Sequence, residues 1–504
     1  MSTSKPSPDA GLLAEAKRIA QQFDLSPDDI ARAADYCLGQ VRNGLEHHGA
    51  TQIPSFVTKI PNGSERAFSS PSTSAARIAG STKHVIPRAL KVNASHKPLF
   101  AFVADKIADF LSQHPEADVE SVEGKRDNAA VGQGLGHCGR LGQGPCEMLQ
   151  KAIDDLELPV LVSAMTSDSV GTLMARAYTS PWSSSTLVGA VFGTGTNAAY
   201  VERLENVRKL HAHDGSRTRR PGDLMVMNTE WGAWIDDDNT IVPITPYDTQ
   251  LDLASANPTR QILEKLTSGM YLGELARLAA LELYRAQRFD MVVQDGSPLY
   301  VDEGVDSSFL SVMAEDGDES LTESRRHIAE VLGAQGVSVH DALALRLIST
   351  AVVRRAARLA GVATAAIVLQ SGRLDAIDPA CKGTESVYRE QELTERRTSW
   401  SWAPSSVWTA VRRAFKYVFC CFTADDSDAA PPSQNGPRSA DGSDSIDIGI
   451  EGSLFEFHPT FEKEMRRALQ QVPGIGLDGE RRIKIGLAKD GSSLGAALVA
   501  QSVQ

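Results

Sequence analysis

The residues of this 504-residue chain best suited to chemistry are three acids and a glycine turn. Asp168 lies in TSDSVGTL, between an apolar run and an expected helix start. A carboxylate at the carboxyl end of a strand is where open α/β sheets gather ligand-binding groups. An Asp just ahead of a helix also serves as an N-cap, and this segment alone leaves both readings open. Glu230 in MNTEWGAW and Glu264 in QILEKLTSGMYLGE stand among apolar neighbours, as acids of a site or simply of the surface. FGTGTN, residues 192–197, follows an apolar run. Its glycines let backbone N–H groups turn toward an anion, and its threonines add hydroxyl donors. A tight hairpin accounts for the same residues without a ligand.

The elements that must position these groups alternate between strand and helix over 147–370, which predicts an α/β domain. MLQKAIDDL reads as helix, PVLVSAM as a buried strand, VGTLMARAY as helix and LVGAVFGTGTNAAYVE as apolar strand. Residues 258–288 form a long helical stretch opened by Asn257-Pro258; VHDALALRLISTAVVRRAARLAG is a further helix and AAIVLQ a strand after it. Beyond residue 444, SIDIGIEGSLF is strand and turn, FEKEMRRALQQV helix, RIKIGLA strand and GSSLGAALVA a last helix. Toward the start, Ala16, Ile19, Phe23, Ile30, Ala34 and Leu38 recur at helical spacing. Ser26-Pro27-Asp28 is a cap signal between two helices. Leu99 to Leu111 is an amphipathic helix, whereas 62–84, 121–146 and 371–444 are rich in Ser, Gly or charge and lack periodicity.

Composition narrows the function classes. The chain is 42% apolar, carries a formal net charge of −13 and has a sequence pI of about 5.4. That balance argues against general nucleic-acid binding, because phosphate backbones reward clustered Lys and Arg. The six cysteines are scattered, without a disulfide framework or a zinc-knuckle spacing. The start is polar rather than signal-like, and no apolar run is long enough to span a bilayer. The expectation is a reduced, cytoplasmic protein with no metal ligands of its own.

Taken in order, these segments resemble the hexokinase family, the two-lobed ATP-dependent sugar kinases. IPSFVTKIPNGSE, HVIPRAL with LFAFVADKIADFL, TSDSVGTLMARAY, FGTGTNAAYVE, MNTEWGAW, NPTRQILEKLTSGMYLGELARL, IDIGIEGSLFEFHPTF and LAKDGSSLGAALVA each match a family segment, from about residue 15 to 500. The resemblance implies an α/β, two-lobed actin-like, sugar-kinase (ribonuclease H-like) fold whose small lobe is incomplete. It implies ATP-dependent phosphorylation of a hexose at the 6-hydroxyl, with Mg²⁺ arriving on ATP. Asp168 would be the general base. Ser167, Asn197, Glu230, Gln261 and Glu264 would hold sugar hydroxyls. Gly193 and Thr194 would face the phosphates, and Gly452 and Ser453 the nucleoside. The divisions expected are a disordered tail over 1–14, a small-lobe region over 15–165 and a large-lobe region over 166–504 with a low-complexity insertion at 371–444.

Two family segments have no counterpart. A phosphate motif of the form LDLGGTNLRV should fall between Glu65 and His84, where only the faint echo IAGST stands. The sugar segment FSFP…TKGF should lie within 115–146; Lys125 in EGKR is not in a matching context, and Ser167 stands where the family has a sugar-binding Asn. Two accounts are open: a translation with exons skipped, or an atypical relative that regulates or senses sugar without turnover. Trp400–Phe422 adds one more feature. As a helix it would carry Trp408, Val411, Phe415, Val418, Phe419 and Phe422 on one stripe beside Arg412, Arg413 and Lys416. That is the pattern of peripheral membrane contact, for instance at the mitochondrial surface, or of a partner-binding insert.

Overall fold

The computed structural model describes residues 8–61, 84, 86, 87, 90, 95–113, 144–162, 165–181, 185–210, 222–374, 445–489 and 491–502. The chain divides into two compact units. One comprises Met1–Phe68, Ala164–Ala376 and Ala440–Gln504; the other comprises Ser69–Ser163 and Ile377–Ser439. Most of 62–84, 121–146 and 371–444, including Trp400–Phe422 and Lys125, lies outside the described residues. Among the described residues no helix is long and apolar enough to cross a membrane.

The first unit is built on a six-stranded sheet in the order β1-β4-β3-β2-β5-β6. Its strands are β1 Ile53–Pro54, β2 Thr186–Phe192, β3 Thr196–Arg203, β4 Leu224–Asn228, β5 Ile446–Glu451 and β6 Ile483–Leu487. The pairs β1/β4, β4/β3 and β3/β2 are antiparallel, while β2/β5 and β5/β6 are parallel. β2 and β5 are buried along nearly their whole length. Strands covered on both faces read as continuous apolar runs, which is how TLVGAVF and IDIGI announce themselves. The single strand expected over 187–202 is a hairpin instead, turning at Gly193-Thr194-Gly195.

The helices in chain order are α1 Pro8–Gln21, α2 Pro27–Glu46, α3 Lys97–Gln113, α4 Pro145–Asp155, α5 Asp168–Thr179, α6 Pro246–Ala254, α7 Ile262–Thr267, α8 Gly269–Arg285, α9 Ser307–Glu315, α10 Thr322–Leu332, α11 Val339–Gln370, α12 Ser453–Phe457, α13 Phe461–Gln471, α14 Gly476–Arg482 and α15 Gly491–Ser502. Ser26 caps α2 in a capping box with Asp29, as its spacing predicts. Of the residues expected as a disordered tail over 1–14, 8–14 are helical: α1 starts at Pro8 and buries Leu12, and 1–7 lie outside the described residues. Helix 258–288 is broken at Ser268 into α7 and α8.

AAIVLQ is not a strand. It is the last turn and a half of α11, a 32-residue helix through the core. Ala, Leu and Gly around it carry no turn signal, and a helix buried on all sides shows the same apolar run as a buried strand. Midway along α11, the fully buried Arg355 makes a bidentate pair with Asp248 at 2.6 and 2.7 Å and lies 4.8 Å from the centre of the Phe23 ring.

α5 is tightly seated. A Cβ on Gly189 of β2 would lie 2.2 Å from the Leu173 nitrogen, and one on Gly495 of α15 would lie 1.9 Å from the Gly171 carbonyl oxygen. Arg176 reaches Asp447 of β5 at 2.6 and 3.0 Å, and Thr172 donates to Glu451 at 3.0 Å. One helix is thereby pinned to β5 at two levels.

In the second unit α3 and α4 are described. α3 buries only Ala104 fully and α4 only Ile153. Leu99, Phe100, Phe102, Phe110 and Leu111 are half-buried. PVLVSAM, expected as a strand, is not one over its described residues. Gln150 of α4 takes the place of a strand partner: its amide donates to the Val160 carbonyl at 3.0 Å and accepts from the Val162 N–H at 2.8 Å. With those groups satisfied by a side chain, no ladder forms.

Candidate active site

The first unit brings the singled-out acids to the carboxyl ends of β2 and β5. Asp168 is the first residue of α5 and is exposed. The N-cap is its neighbour: Ser167 Oγ accepts from the Val170 N–H at 3.3 Å and lies 3.1 Å from Ser169 Oγ. The capping role open to Asp168 on sequence thus falls to Ser167. Asp168 Oδ1 accepts from the Ser169 N–H at 2.7 Å. Its carboxylate stands at the positive end of the helix dipole.

Asn197, near the start of β3, organises the next group. Its Nδ2 donates to Asn228 Oδ1 at 2.9 Å and to Glu230 Oε1 at 3.1 Å. Its Oδ1 accepts from the N–H groups of Ala198 and Glu230 and from Thr229 Oγ1, at 2.8, 3.1 and 3.2 Å. Asn228 also donates to Glu230 Oε1, at 2.8 Å. One oxygen of Glu230 is therefore held by two amides. Glu230 adopts a left-handed backbone, φ 49°, and so does Gln261, φ 56°. Non-glycine residues keep that conformation only where the surroundings enforce it, and such positions cluster at ligand sites.

Gln261 and Glu264 arrive on α7. The N–H groups of Gln261 and Ile262 donate to Asp236 at 3.0 and 2.8 Å. Glu264 Oε1 accepts from the Thr196 N–H at 3.3 Å. Small residues make room for both side chains: a Cβ on Gly232 would meet Gln261 Oε1 at 2.3 Å, and one on Gly195 would meet Glu264 Oε1 at 2.8 Å. Burial raises the pKa of Glu264, and the nearby carboxylates of Glu230 and Asp168 push it further the same way. Both carboxylates therefore lie near enough to Glu264 to act on it through their charge. Beneath them Trp231 donates to Thr196 Oγ1 at 3.0 Å and stacks on Phe192 at 5.5 Å.

Gly193, Thr194, Gly452 and Ser453 lie alongside, where parallel β2 and β5 end. Gly452 has φ 119°, and a Cβ there would lie 2.3 Å from the Phe192 carbonyl oxygen and 2.7 Å from the Gly193 nitrogen. Only glycine lets the two chains come this close. The Gly193 and Thr194 carbonyls accept from the first N–H groups of α8, Gly269 and Met270, at 2.8 and 3.1 Å. The side chains of Thr194 and Ser453 stay exposed. The Gly193 N–H is spent on the Gly195 carbonyl at 3.0 Å, so the exposed Thr194 and Ser453 are what this turn offers a phosphate chain. Among the described residues no group of three or more His, Cys, Asp or Glu is placed to hold a metal ion.

A sequence model of the family described as Hexokinase matches residues 187–402 and 405–502, more than half of the chain. The chain belongs to the hexokinase family. A second Hexokinase model matches residues 129–178. The glucokinase of Aspergillus niger is 32% identical over 547 positions, covering 97% of this chain and 97% of its own length. Hexokinase-2 of Schizosaccharomyces pombe is 27% identical, covering 96% of each chain. A solved hexokinase from Schistosoma mansoni complexed with glucose is similar in structure, with a TM-score of 0.68, 25% identity and coverage of 98% of this chain and 99% of that one. The two-lobed hexokinase fold expected from the motifs is thus the one observed, and membership implies use of ATP and Mg²⁺. The 547 aligned positions exceed the 504 residues of the chain, so the Aspergillus enzyme has segments without a counterpart here.

Two residues of this candidate site are not singled out by the sequence. Asn228, the last residue of β4, stands two positions before Glu230, and that nearness in sequence is the one local signal for it. Asp236 belongs to the run IDDDN. Acidic runs are usually solvated, and nothing local marks the one that caps a distant helix.

Proposed function

We propose that this chain binds a hexose at the carboxyl end of its sheet and transfers the γ-phosphoryl group of ATP to the 6-hydroxyl. The observation that carries this reading is the convergence of Asp168, Asn197, Glu230 and Glu264, contributed by four separate segments, beside the glycine turn at 193–195. Each carboxylate accepts from two hydroxyls, so Glu230 and Glu264, with Asn197 and Gln261, would orient the sugar and select its stereochemistry. Asp168 would take the proton of the 6-hydroxyl as its oxygen bonds to phosphorus. ATP with Mg²⁺ supplies the phosphoryl group, and Gly193, Thr194, Gly452 and Ser453 would face it. The reading includes a cytoplasmic location, with Trp400–Phe422 as its candidate membrane contact.

A second reading, a sugar sensor without turnover, has its own support. LDLGGT and TKGF segments are absent from the sequence. Ser167 replaces an amide and spends its hydroxyl on the helix cap. The family model for the first part of the chain reaches only residues 129–178. A coupled assay for glucose 6-phosphate on the purified chain separates the two. Turnover of about 1–100 per second supports the kinase. Glucose binding without product supports the sensor, and absence of both removes the sugar site altogether.

A further inference from the structure

Behind the left-handed turn at Glu230 a chain of buried hydrogen bonds ends on an ammonium group. Thr229 is fully buried; its one hydroxyl proton is shared between the Ala198 carbonyl at 2.9 Å and Asn197 Oδ1 at 3.2 Å. Its own carbonyl accepts from the Gln52 N–H at 3.1 Å. Gln52 is also left-handed, φ 53°, and also fully buried. Among the described residues neither polar atom of its side chain has a hydrogen-bond partner. A residue so poorly rewarded for its burial needs something else to hold it.

That something is Lys209. Its side chain is buried, and its ammonium donates to the carbonyls of Gln52 and Thr51. Among the described residues no carboxylate pairs with it. Burial without a counter-charge pulls its pKa down to about 8. A buried cation serving two neutral carbonyls is an expensive element of a fold, and a neutral side chain of similar length would be cheaper.

We propose that Lys209 is a positioning residue of the hexose site. Its ammonium fixes the left-handed turn at Gln52, the Gln52 N–H fixes Thr229, and Thr229 together with Asn197 sets the carboxylate of Glu230. The proposal rests on reading Asn197 and Glu230 as hexose-holding residues, and its test separates the two claims.

Lys209→Met and the milder Lys209→Gln, which keeps an N–H donor, are compared with the unaltered full-length chain. Amide hydrogen exchange is followed across 226–234 and across α5, with no ligand present. In Lys209→Met, exchange over 226–234 is expected to rise by about tenfold or more while α5 keeps its protection. Glucose, titrated against tryptophan fluorescence, is expected to bind about tenfold more weakly, with Lys209→Gln between the two. Unchanged exchange over 226–234 overturns the proposal. So does loss of protection throughout, α5 included, in both variants, which would make Lys209 a general folding residue. If 226–234 loosens but the unaltered chain binds no glucose, the relay stands and the hexose reading of the site falls.

Discussion

The two units of this chain handle the same kind of apolar residue very differently. In the first, Phe192, Trp231 and Phe461 are almost wholly buried and pack ring on ring, with Phe192 and Phe461 5.5 Å apart. In the second, the phenylalanines of α3 are half-buried, and one alanine is its only fully buried residue. The sequence of α3 carries an amphipathic pattern all the same, with Leu99, Phe102, Val103, Ile107 and Phe110 at helical spacing. A helix satisfies its own backbone and so forms wherever the pattern allows, but its apolar face gains stability only when another element covers it. A strand needs partners even to exist. PVLVSAM, lacking them among the described residues, is held by the side chain of Gln150.

The largest expected effect bears on the first unit alone. Asp168→Asn should lower turnover by about 10²–10⁴-fold, the usual value of general-base help. Glucose affinity should hold, because Asn197, Glu230 and Glu264 remain, and so should the melting temperature, because Ser167 is the cap. Full activity in this variant, measured with the melting temperature on one preparation, would remove Asp168 from the mechanism.

The contrast between the units can be attacked directly with a matched pair. Phe461→Ala should cost about 3–5 kcal/mol, the range for a fully buried phenylalanine. Phe102→Ala on α3 should cost less than about 1 kcal/mol, near the surface range. Equal losses in denaturant titrations would show that α3 is as well covered as the sheet.

A smaller effect runs in two directions at once. The pKa of Glu264 is raised in the folded state, so the folded chain holds this proton where the unfolded chain has released it. The group's contribution to stability therefore falls as pH rises from the ordinary Glu value through the raised one, and its full cost is present above the raised one. Glu264→Gln should raise the melting temperature by up to about 2 °C at pH 7. It should also weaken glucose binding by roughly tenfold, through loss of a charged acceptor. A drop in melting temperature would contradict the account of Glu264 as a charge kept for function.

Much of this was legible in the sequence, and the exceptions have physical causes. The Ser26 cap, the start of α5, the glycine turn and the last strand–helix pair follow from local chemistry: capping oxygens, period-two runs and glycines where chains must approach. Glu230 and Glu264 stand out locally only as acids among apolar neighbours, and the roles proposed for them, for Asn197 and for Gln261 come from the resemblance. AAIVLQ was misread because a buried helix and a buried strand show one composition. Asp236 and Lys209 were invisible for a different reason. Their partners are distant in sequence, and only the fold reveals that an acid in a polar run caps α7 or that one lysine among many is buried.

The place of β5 has a consequence for how the chain is made. β5 starts at Ile446 and pairs with β2, while α15 closes over Gly171 on α5. Until the residues from Ile446 onward leave the ribosome, β2 carries an unpaired edge and the helix bearing Asp168 has neither the anchor at Asp447 nor its cover. From the emergence of β2 to that of β5, roughly 250 residues later, the most apolar strand of the sheet therefore stays open on one side, a template for wrong pairing. A stop codon anywhere before β5 would yield not a weakened site but a sticky one.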